Sequence, residues 1–106
     1  MTFSIIGTGN IAWFLGTRLV TGTHRCTGVY SRNTDAARQL AEALLSDKYG
    51  SLSDIRDEEA DICFIAVADA AIPEVAARIS FKHTVLVHTA GAVDINAIAD
   101  AATDRA

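Results

Sequence analysis

The chain has 106 residues, of which 50% are hydrophobic, with a single proline and a formal net charge of −4. This length predicts one compact domain spanning residues 1–106, and the hydrophobic content excludes intrinsic disorder. A net acidic chain without a basic cluster does not fit a nucleic-acid-binding protein. No segment approaches the roughly 20 apolar residues of a membrane span, and no signal peptide is recognisable. We therefore expect a cytoplasmic protein that contacts neither nucleic acid nor membrane.

Short apolar runs alternate with segments of helical periodicity along the whole chain. The apolar runs are too short for core helices, whereas the periodic segments repeat hydrophobic residues at 3.6-residue spacing. In chain order, the predicted elements are a strand at 2–6, a helix at 11–20, a strand at 25–30, a helix at 35–45, a strand at 49–52, a helical turn at 53–55, a strand at 61–67, a helix at 71–79, a strand at 84–87 and a helix at 95–101.

Some of these elements carry strong local signals. Residues 61–67 (DICFIAV) are apolar at nearly every position, which is typical of a central strand covered on both faces. Asn33 or Thr34 is the expected cap of the second helix, because the side-chain oxygen of such a residue accepts a hydrogen bond from an early helical amide. The first two helices present inward faces of small and branched residues, namely Ala12, Leu15, Gly16 and Leu19 in the first and Ala37, Leu40, Ala41 and Leu44 in the second.

Alternating strands and helices of this kind indicate an α/β fold with a parallel sheet. We predict a Rossmann-type sheet in the order 3-2-1-4-5, with helices on both faces. Ligands of such sheets bind beyond the carboxyl ends of the strands, at the point where the strand order reverses. Four segments meet there, at residues 7–11, 30–34, 67–71 and 88–92, and the functional residues are expected in them.

The first segment is the glycine-rich run GTGNIA at residues 7–12, which follows a strand and opens a helix. It matches the GxGxxA form of a dinucleotide-binding turn. Gly7 permits the tight turn, Gly9 lets the backbone approach a pyrophosphate, and Ala12 keeps the helix close to the sheet. Amides at the helix N-terminus would bind the phosphates. The alternative is a tight turn without a ligand. The predicted cofactor contacts in this segment are Gly7, Thr8, Gly9, Asn10 and Ile11.

The second segment bears on the choice between NAD and NADP. An NAD-preferring site has an acidic residue after the second strand, where it accepts hydrogen bonds from the ribose hydroxyls. This chain has Ser31, Arg32 and Asn33 there, and no carboxylate before Asp35. A guanidinium at this place favours the 2′-phosphate, since charge-assisted hydrogen bonds are worth roughly 1.5–3 kcal/mol. We therefore expect NADP rather than NAD as the cofactor. The alternative role for Arg32 is a solvated surface arginine.

The other two segments are less specific. Val67, Ala68 and Asp69 follow the central strand, and their mostly small side chains leave room for a dinucleotide to cross toward the nicotinamide. Asp69 is a catalytic candidate or, alternatively, fixes the loop. His88 follows the fifth strand, where it donates a proton or orients a substrate or, alternatively, bonds to a neighbouring loop. We include these four residues among the cofactor-site candidates.

Several runs of the sequence match a known group of proteins: IIGTGNIAWFLGTRL, VYSRN, ADICFIAVADAAIPEVAARI and VLVHTAGAVDI. They resemble the N-terminal domain of the Rossmann-like proteins that carry a DUF2520 C-terminal domain. That group is similar to pyrroline-5-carboxylate reductase and to the F420-dependent NADP reductases. The resemblance covers nearly the whole chain, and AVADAAI and HTAG are its most specific parts.

This resemblance implies an NAD(P)-dependent oxidoreductase in which the present domain holds the cofactor. The glycine turn would meet the pyrophosphate, residues 31–33 the adenosine phosphate, and residues 67–69 the nicotinamide side. Family members continue into a helical C-terminal domain that forms the dimer and closes the substrate site. We expect that domain to lie outside the 106 residues, so that catalysis by this chain alone is not expected.

The remaining residues suggest no catalytic pair and no metal cluster. Cys26 and Cys63 lie in separate apolar segments without metal-ligand spacing and are expected to be buried thiols. The leading hypothesis is the cofactor domain of an NADP-dependent reductase that acts on a small imine or carbonyl compound. The alternatives are a non-catalytic module that senses NADP(H), with a homodimer possible in either case, and a Rossmann fragment without a ligand.

Overall fold

The computed structural model describes residues 1–46, 48–57, 59–67, 72–79 and 81–88. All five predicted strands are present, and the helix predicted at 95–101 lies outside the described residues. The elements are β1 (Thr2–Ile6), α1 (Asn10–Thr21), β2 (Arg25–Tyr30), α2 (Thr34–Ala43), β3 (Tyr49–Gly50), a 3-10 turn (Leu52–Asp54), β4 (Ile62–Ile65), α3 (Ile72–Arg78) and β5 (Val85–His88).

The five strands form one parallel sheet in the order β3-β2-β1-β4-β5. The chain builds outward from β1 through β2 to β3, and then returns to place β4 against the other side of β1. This order confirms the predicted Rossmann-type fold. It reverses between β1 and β4, so the carboxyl ends of these two strands form the place where ligands of such sheets bind.

Side chains on the strands alternate between two faces, and each face packs against different helices. Phe3 and Ile5 belong to the larger core, which α1 and α2 cover. Ile6 belongs to a smaller core on the opposite face, together with Val75 of α3 and Ile79 just after it. The helices therefore lie on both faces, as predicted. The helical part of the larger core is the predicted pair of stripes, Ala12, Leu15, Leu19, Ala37, Leu40, Ala41 and Leu44.

Two strands are shorter than the sequence predicted, and the cause is local in both. β4 ends soon after its partner β1, because the chain turns out of the sheet at Gly7 and only one further ladder bond forms, from the amide of Ala66 to the carbonyl of Ile6. β3 ends at Gly50, since Ser51 begins the 3-10 turn and donates its amide to the Asp54 carboxylate at 2.8 Å.

The helix α2 also ends earlier than predicted, at Ala43 instead of residue 45. Leu45 adopts a positive φ of 55°, which a helix does not accommodate. The amide of Ser46 then donates to the carbonyl of Ala41 at 2.8 Å, which satisfies one of the last helical acceptors. Of the two predicted caps, Asn33 is the N-cap, since its Oδ1 accepts a hydrogen bond from the amide of Ala36 at 3.1 Å, and α2 begins at Thr34, one residue before the predicted start.

The described part of the chain also bears on the cysteines, on metal binding and on membrane spans. Cys26 and Cys63 are free and buried, as predicted. Among the residues that the structure describes, no three or more His, Cys, Asp or Glu side chains are grouped so that they could hold a metal ion. None of the helices described is both long enough and apolar enough to cross a membrane.

Candidate functional site

A cavity of about 240 Å³ lies at the carboxyl edge of the sheet, where the strand order reverses. Its wall combines the ends of β1, β2 and β4 with the 3-10 turn and α3. Five residues predicted from sequence line it together, although they come from three separate segments of the chain. The lining consists of Ile6, Gly7, Thr8, Ser31, Arg32, Leu52, Val67 and Val75.

Gly7 makes the turn out of β1, and its backbone requires glycine. Its φ is +117°, and a Cβ at this position would lie 2.3 Å from the carbonyl oxygen of Ala66. Its amide donates to the carbonyl of Tyr30 at 2.8 Å, which ties the turn to the end of β2. The first glycine of the motif thus brings β1, β2 and β4 together at the site.

Gly9 differs from Gly7, because it borders open space. It is the N-cap of α1 with an extended backbone, and no atom lies within 4 Å of the position that a Cβ would take. The first hydrogen bond of α1 runs from the amide of Trp13 to the carbonyl of Gly9 at 3.1 Å. The amides of Asn10 and Ile11 precede that bond, so they remain available as donors at the positive end of the helix dipole.

Close packing of α1 depends on a glycine that the motif does not include. Ala12 is fully buried, in agreement with its predicted role. The tightest approach is nevertheless at Gly16, where a Cβ would lie 2.6 Å from Cδ1 of Leu44 and 3.1 Å from Cδ1 of Ile5. Gly16 therefore lets α1 sit close to both α2 and β1, which fixes the position of the glycine turn.

The three candidate residues after β2 have different tasks. Asn33 caps α2, and Ser31 Oγ accepts the amide of Asn33 at 3.2 Å, so both side chains support the start of the helix. The Arg32 side chain is 68% exposed and forms an ion pair with Glu74 of α3. Of the three, Arg32 is the one that contributes a positive charge to the lining of the cavity, and that charge is paired with Glu74.

A second cavity of about 410 Å³ adjoins the first, and Arg32 and Leu52 line both. Its remaining lining consists of Ser51, Ser53 and Arg78. Sequence reasoning missed the residues contributed by the 3-10 turn and by α3. The strand order could have placed the 3-10 turn at the site, because the end of β3 must lie beside the end of β2. For α3, the spacing of Glu74 and Arg78, four residues apart, predicts that both lie on one side of the helix.

The fourth strand and its neighbour complete the predicted set. Val67 lines the first cavity. His88 ends β5 opposite Ile65, with an exposed side chain, and it lines neither of the two cavities. Ala68 and Asp69 lie outside the described residues, so their predicted contacts stay predictions.

A buried polar cluster lies on the sheet face that α3 covers. The ring of Tyr30 folds back along β2, and a Cβ on Gly28 would lie 2.5 Å from its hydroxyl oxygen. That hydroxyl donates a hydrogen bond to Glu59, whose side chain is only 5% exposed. Burial raises the pKa of Tyr30, and the hydrogen bond to Glu59 raises it further. Burial also raises the pKa of Cys63, to about 12.

These two shifts predict that the domain loses stability at alkaline pH. Between the unfolded and folded pKa values, Cys63 and Tyr30 keep their protons in the folded chain and lose them in the unfolded one. The unfolding free energy therefore falls with rising pH, from about pH 9 for the thiol, by up to about 1.4 kcal/mol per pH unit for each group. Urea unfolding at pH 8 to 10 measures the slope. Cys63→Ala should flatten the slope near pH 9, and an equal slope in both proteins would contradict the assignment.

Solved structures resemble this fold. A protein of Bacteroides fragilis assigned as an NADP oxidoreductase is 28% identical with a TM-score of 0.74, over 87% of this chain and 37% of that one. Synechocystis arogenate dehydrogenase is 23% identical with a TM-score of 0.67, over 98% and 37%. The 1-pyrroline-5-carboxylate reductase of Streptococcus pyogenes is 19% identical with a TM-score of 0.64, over 94% and 38%. The last two likenesses show the fold alone, and the chain spans less than two fifths of each structure.

A family model describes the chain more directly than the single structures do. No protein of curated function matches the chain significantly. The model of the family described as NADP oxidoreductase, coenzyme F420-dependent, matches residues 2–91. The match covers most of the chain and includes the strand ends that line the cavity. The chain therefore belongs to this oxidoreductase family and forms its Rossmann-like nucleotide-binding domain.

Proposed function

We propose that this chain binds NADP(H) and serves as the cofactor domain of a reductase acting on a small imine or carbonyl compound. The observation that carries the proposal is the first cavity, in which the glycine turn and Arg32 border one space at the switch point of the sheet. A dinucleotide needs a place for its pyrophosphate and a place for its adenosine ribose, and a cavity lined by both the glycine turn and the end of β2 supports assigning them here.

The pyrophosphate is assigned to the glycine turn. The open space over Gly9 lets phosphate oxygens come close to the backbone. The amides of Asn10 and Ile11 are early helical donors, and the first turn of α1 contains no acidic residue that would repel an anion. Thr8 lines the cavity beside the turn and offers a hydroxyl. Gly7 contributes by holding the turn in shape.

The adenosine 2′-phosphate is assigned to the end of β2. Arg32 is the cation there, and the loop from Ser31 to Asn33 contains no carboxylate of its own. Ser31 also lines the first cavity, and its hydroxyl is proposed as a further contact of the ribose phosphate. Asn33 is assigned an indirect part, since its side-chain oxygen is used as the helix cap. These features support NADP over NAD.

The nicotinamide is assigned to the carboxyl ends of β4 and β5. When bound, it supplies the hydride for the reduction. Val67, with Ala68 and Asp69 after it, would border the ring, and His88 at the end of β5 would face the substrate side. The substrate itself would be held mainly by a further helical domain, which agrees with the greater length of the solved relatives.

The first test is calorimetric titration of the chain with NADPH and, separately, with NADH. We expect NADPH to bind roughly ten to a hundred times more tightly, because the additional phosphate gains one charge-assisted contact. Equal affinities would contradict the choice of NADP. Absence of binding by both cofactors would contradict the assignment of the cavity to a dinucleotide.

Arg32→Ala is expected to reduce the affinity for NADPH by about ten- to hundredfold and that for NADH by less than about threefold. The difference arises because NADH has no 2′-phosphate to lose. Arg18→Ala is the matched control, since Arg18 lies on the exposed face of α1 eight residues beyond the helix start, roughly 12 Å along the axis. Equal losses for the two cofactors in Arg32→Ala would remove Arg32 from the 2′-phosphate.

A further inference from the structure

The larger cavity contains a second cation in addition to Arg32. The larger cavity is lined by Arg78 of α3 together with Arg32 and the residues of the 3-10 turn. Arg32 and Leu52 line both cavities, so the two spaces adjoin at these side chains. A dinucleotide whose ribose lies in the first cavity therefore directs its adenosine end toward the second. Arg78 stands at that end.

The two guanidinium groups of this cavity differ in their partners. Arg32 pairs with the Glu74 carboxylate, which compensates its charge. Arg78 makes no ion pair and no side-chain hydrogen bond within the described residues. The other nearby carboxylate, Asp54, accepts hydrogen bonds from the amide and the hydroxyl of Ser51 at 2.8 and 3.1 Å. The uncompensated charge of the cavity thus resides on Arg78.

The spacing on α3 suits a shared anion. Glu74 and Arg78 are four residues apart, so they lie on one side of the helix just over one turn, or roughly 6 Å, from each other along its axis. An anion that takes Arg32 from Glu74 therefore arrives within reach of Arg78. A phosphate monoester has three terminal oxygens, enough to accept hydrogen bonds from two guanidinium groups at once.

We infer that Arg78 is a second ligand of the 2′-phosphate of NADP(H), and that Glu74 is the counter-ion of Arg32 which this phosphate displaces. The inference rests on the proposed function and extends it to Arg78 of α3, 46 residues beyond Arg32 in sequence. It makes the preference for NADP depend on three side chains. Arg32 and Arg78 attract the phosphate, and Glu74 opposes it by holding Arg32 and by repelling the incoming charge.

Adenosine 2′,5′-bisphosphate and 5′-AMP are the probes that isolate this end of the cofactor, because they differ only in the 2′-phosphate. We expect Arg78→Ala to weaken binding of the bisphosphate about tenfold and to leave 5′-AMP binding unchanged. Arg78→Lys should retain part of the affinity, since it keeps the charge and loses the bidentate geometry. Raising the salt concentration should reduce the bisphosphate affinity more in the wild type than in Arg78→Ala.

The control is Arg18→Ala, which changes the net charge from −4 to −5 in the same way but lies away from the cavity. It should leave both affinities unchanged. An unaltered bisphosphate affinity in Arg78→Ala, or equal losses for the two probes, would overturn the inference. Circular dichroism and thermal unfolding of Arg78→Ala should match the wild type, because Arg78 is exposed.

Glu74→Gln tests the counter-ion independently. The amide preserves the shape of the side chain and removes its charge. We expect the bisphosphate to bind about threefold or more tightly than to the wild type, with 5′-AMP unchanged. A weaker affinity would show that Glu74 orients Arg32 for the phosphate instead of competing with it, and would overturn the counter-ion role.

Different results would contradict the NADP preference and the role of Arg78. A wild-type chain that binds the bisphosphate no more tightly than 5′-AMP would contradict the proposed NADP preference itself. A wild-type preference that Arg32→Ala removes and Arg78→Ala leaves intact would overturn only the inference about α3.

Discussion

Replacing Gly7 with alanine is expected to destabilise the domain by roughly 2–6 kcal/mol. One part of the cost is conformational, because the φ of +117° is a region that residues with a Cβ rarely adopt. The other part is steric, since the new Cβ would lie 2.3 Å from the carbonyl oxygen of Ala66, a backbone atom held at the end of β4. A domain of this size has about 5–15 kcal/mol of stability, so the loss is a large share of the total.

Urea unfolding followed by circular dichroism measures this effect, and Gly22→Ala is its control. Gly22 has an ordinary φ of −86°, and a Cβ there would meet its nearest neighbour at 3.5 Å. We expect Gly22→Ala to change the unfolding free energy by less than about 1 kcal/mol. A Gly7→Ala variant as stable as Gly22→Ala would show that the turn relaxes, and that the tight junction of β1 with β4 is not essential to the fold.

The strand order was accessible from sequence because several local signals agree. The apolar run at 61–67, the glycine turn after the first strand and the periodic helices all indicate a doubly wound parallel sheet. The positions of Gly7, Ser31, Arg32 and Val67 around one cavity then follow from topology, since the carboxyl ends of parallel strands share an edge. Residues that terminate strands were thus placed without knowledge of any side-chain contact.

Contacts between a strand end and a crossover helix were not accessible in this way. The pairing of Arg32 with Glu74 depends on where α3 crosses the sheet, and no local pattern encodes that position. Tyr30 shows the same limit. Its hydroxyl reaches Glu59, 29 residues away, only because Gly28 leaves room for the ring to fold back along β2. The sequence marks Gly28 as small without revealing what occupies the space.

The two glycines of the turn look alike in sequence but differ in the structure. A GxGxxA pattern treats Gly7 and Gly9 alike, as positions that lack a Cβ. In the structure Gly7 is buried against Ala66, whereas Gly9 faces open space with a φ of −81° that any residue can adopt. Gly7 is therefore required by the fold, whereas the fold does not require glycine at position 9. The open space at Gly9 is where the proposed pyrophosphate would meet the backbone.

Gly9→Val should consequently separate binding from folding. The isopropyl group meets no protein atom within 4 Å of its Cβ, so the fold is expected to survive. Gly9→Val should lower the unfolding free energy by at most about 1 kcal/mol, because valine is a poorer N-cap than glycine. The same group fills the space assigned to the pyrophosphate, and we expect the affinity for NADPH and for NADH to fall more than about a hundredfold, equivalent to roughly 2.8 kcal/mol. Calorimetric titration and thermal unfolding measure the two effects.

Gly9→Ala is the matched control for Gly9→Val, because alanine shares the weaker N-cap but adds only one methyl group. The affinity for either cofactor should therefore fall less in Gly9→Ala than in Gly9→Val. Both variants should unfold at similar temperatures. Since the pyrophosphate is common to both cofactors, the loss should be equal for NADPH and NADH, unlike that of Arg32→Ala. An unchanged affinity in Gly9→Val would mean that no pyrophosphate lies against this turn.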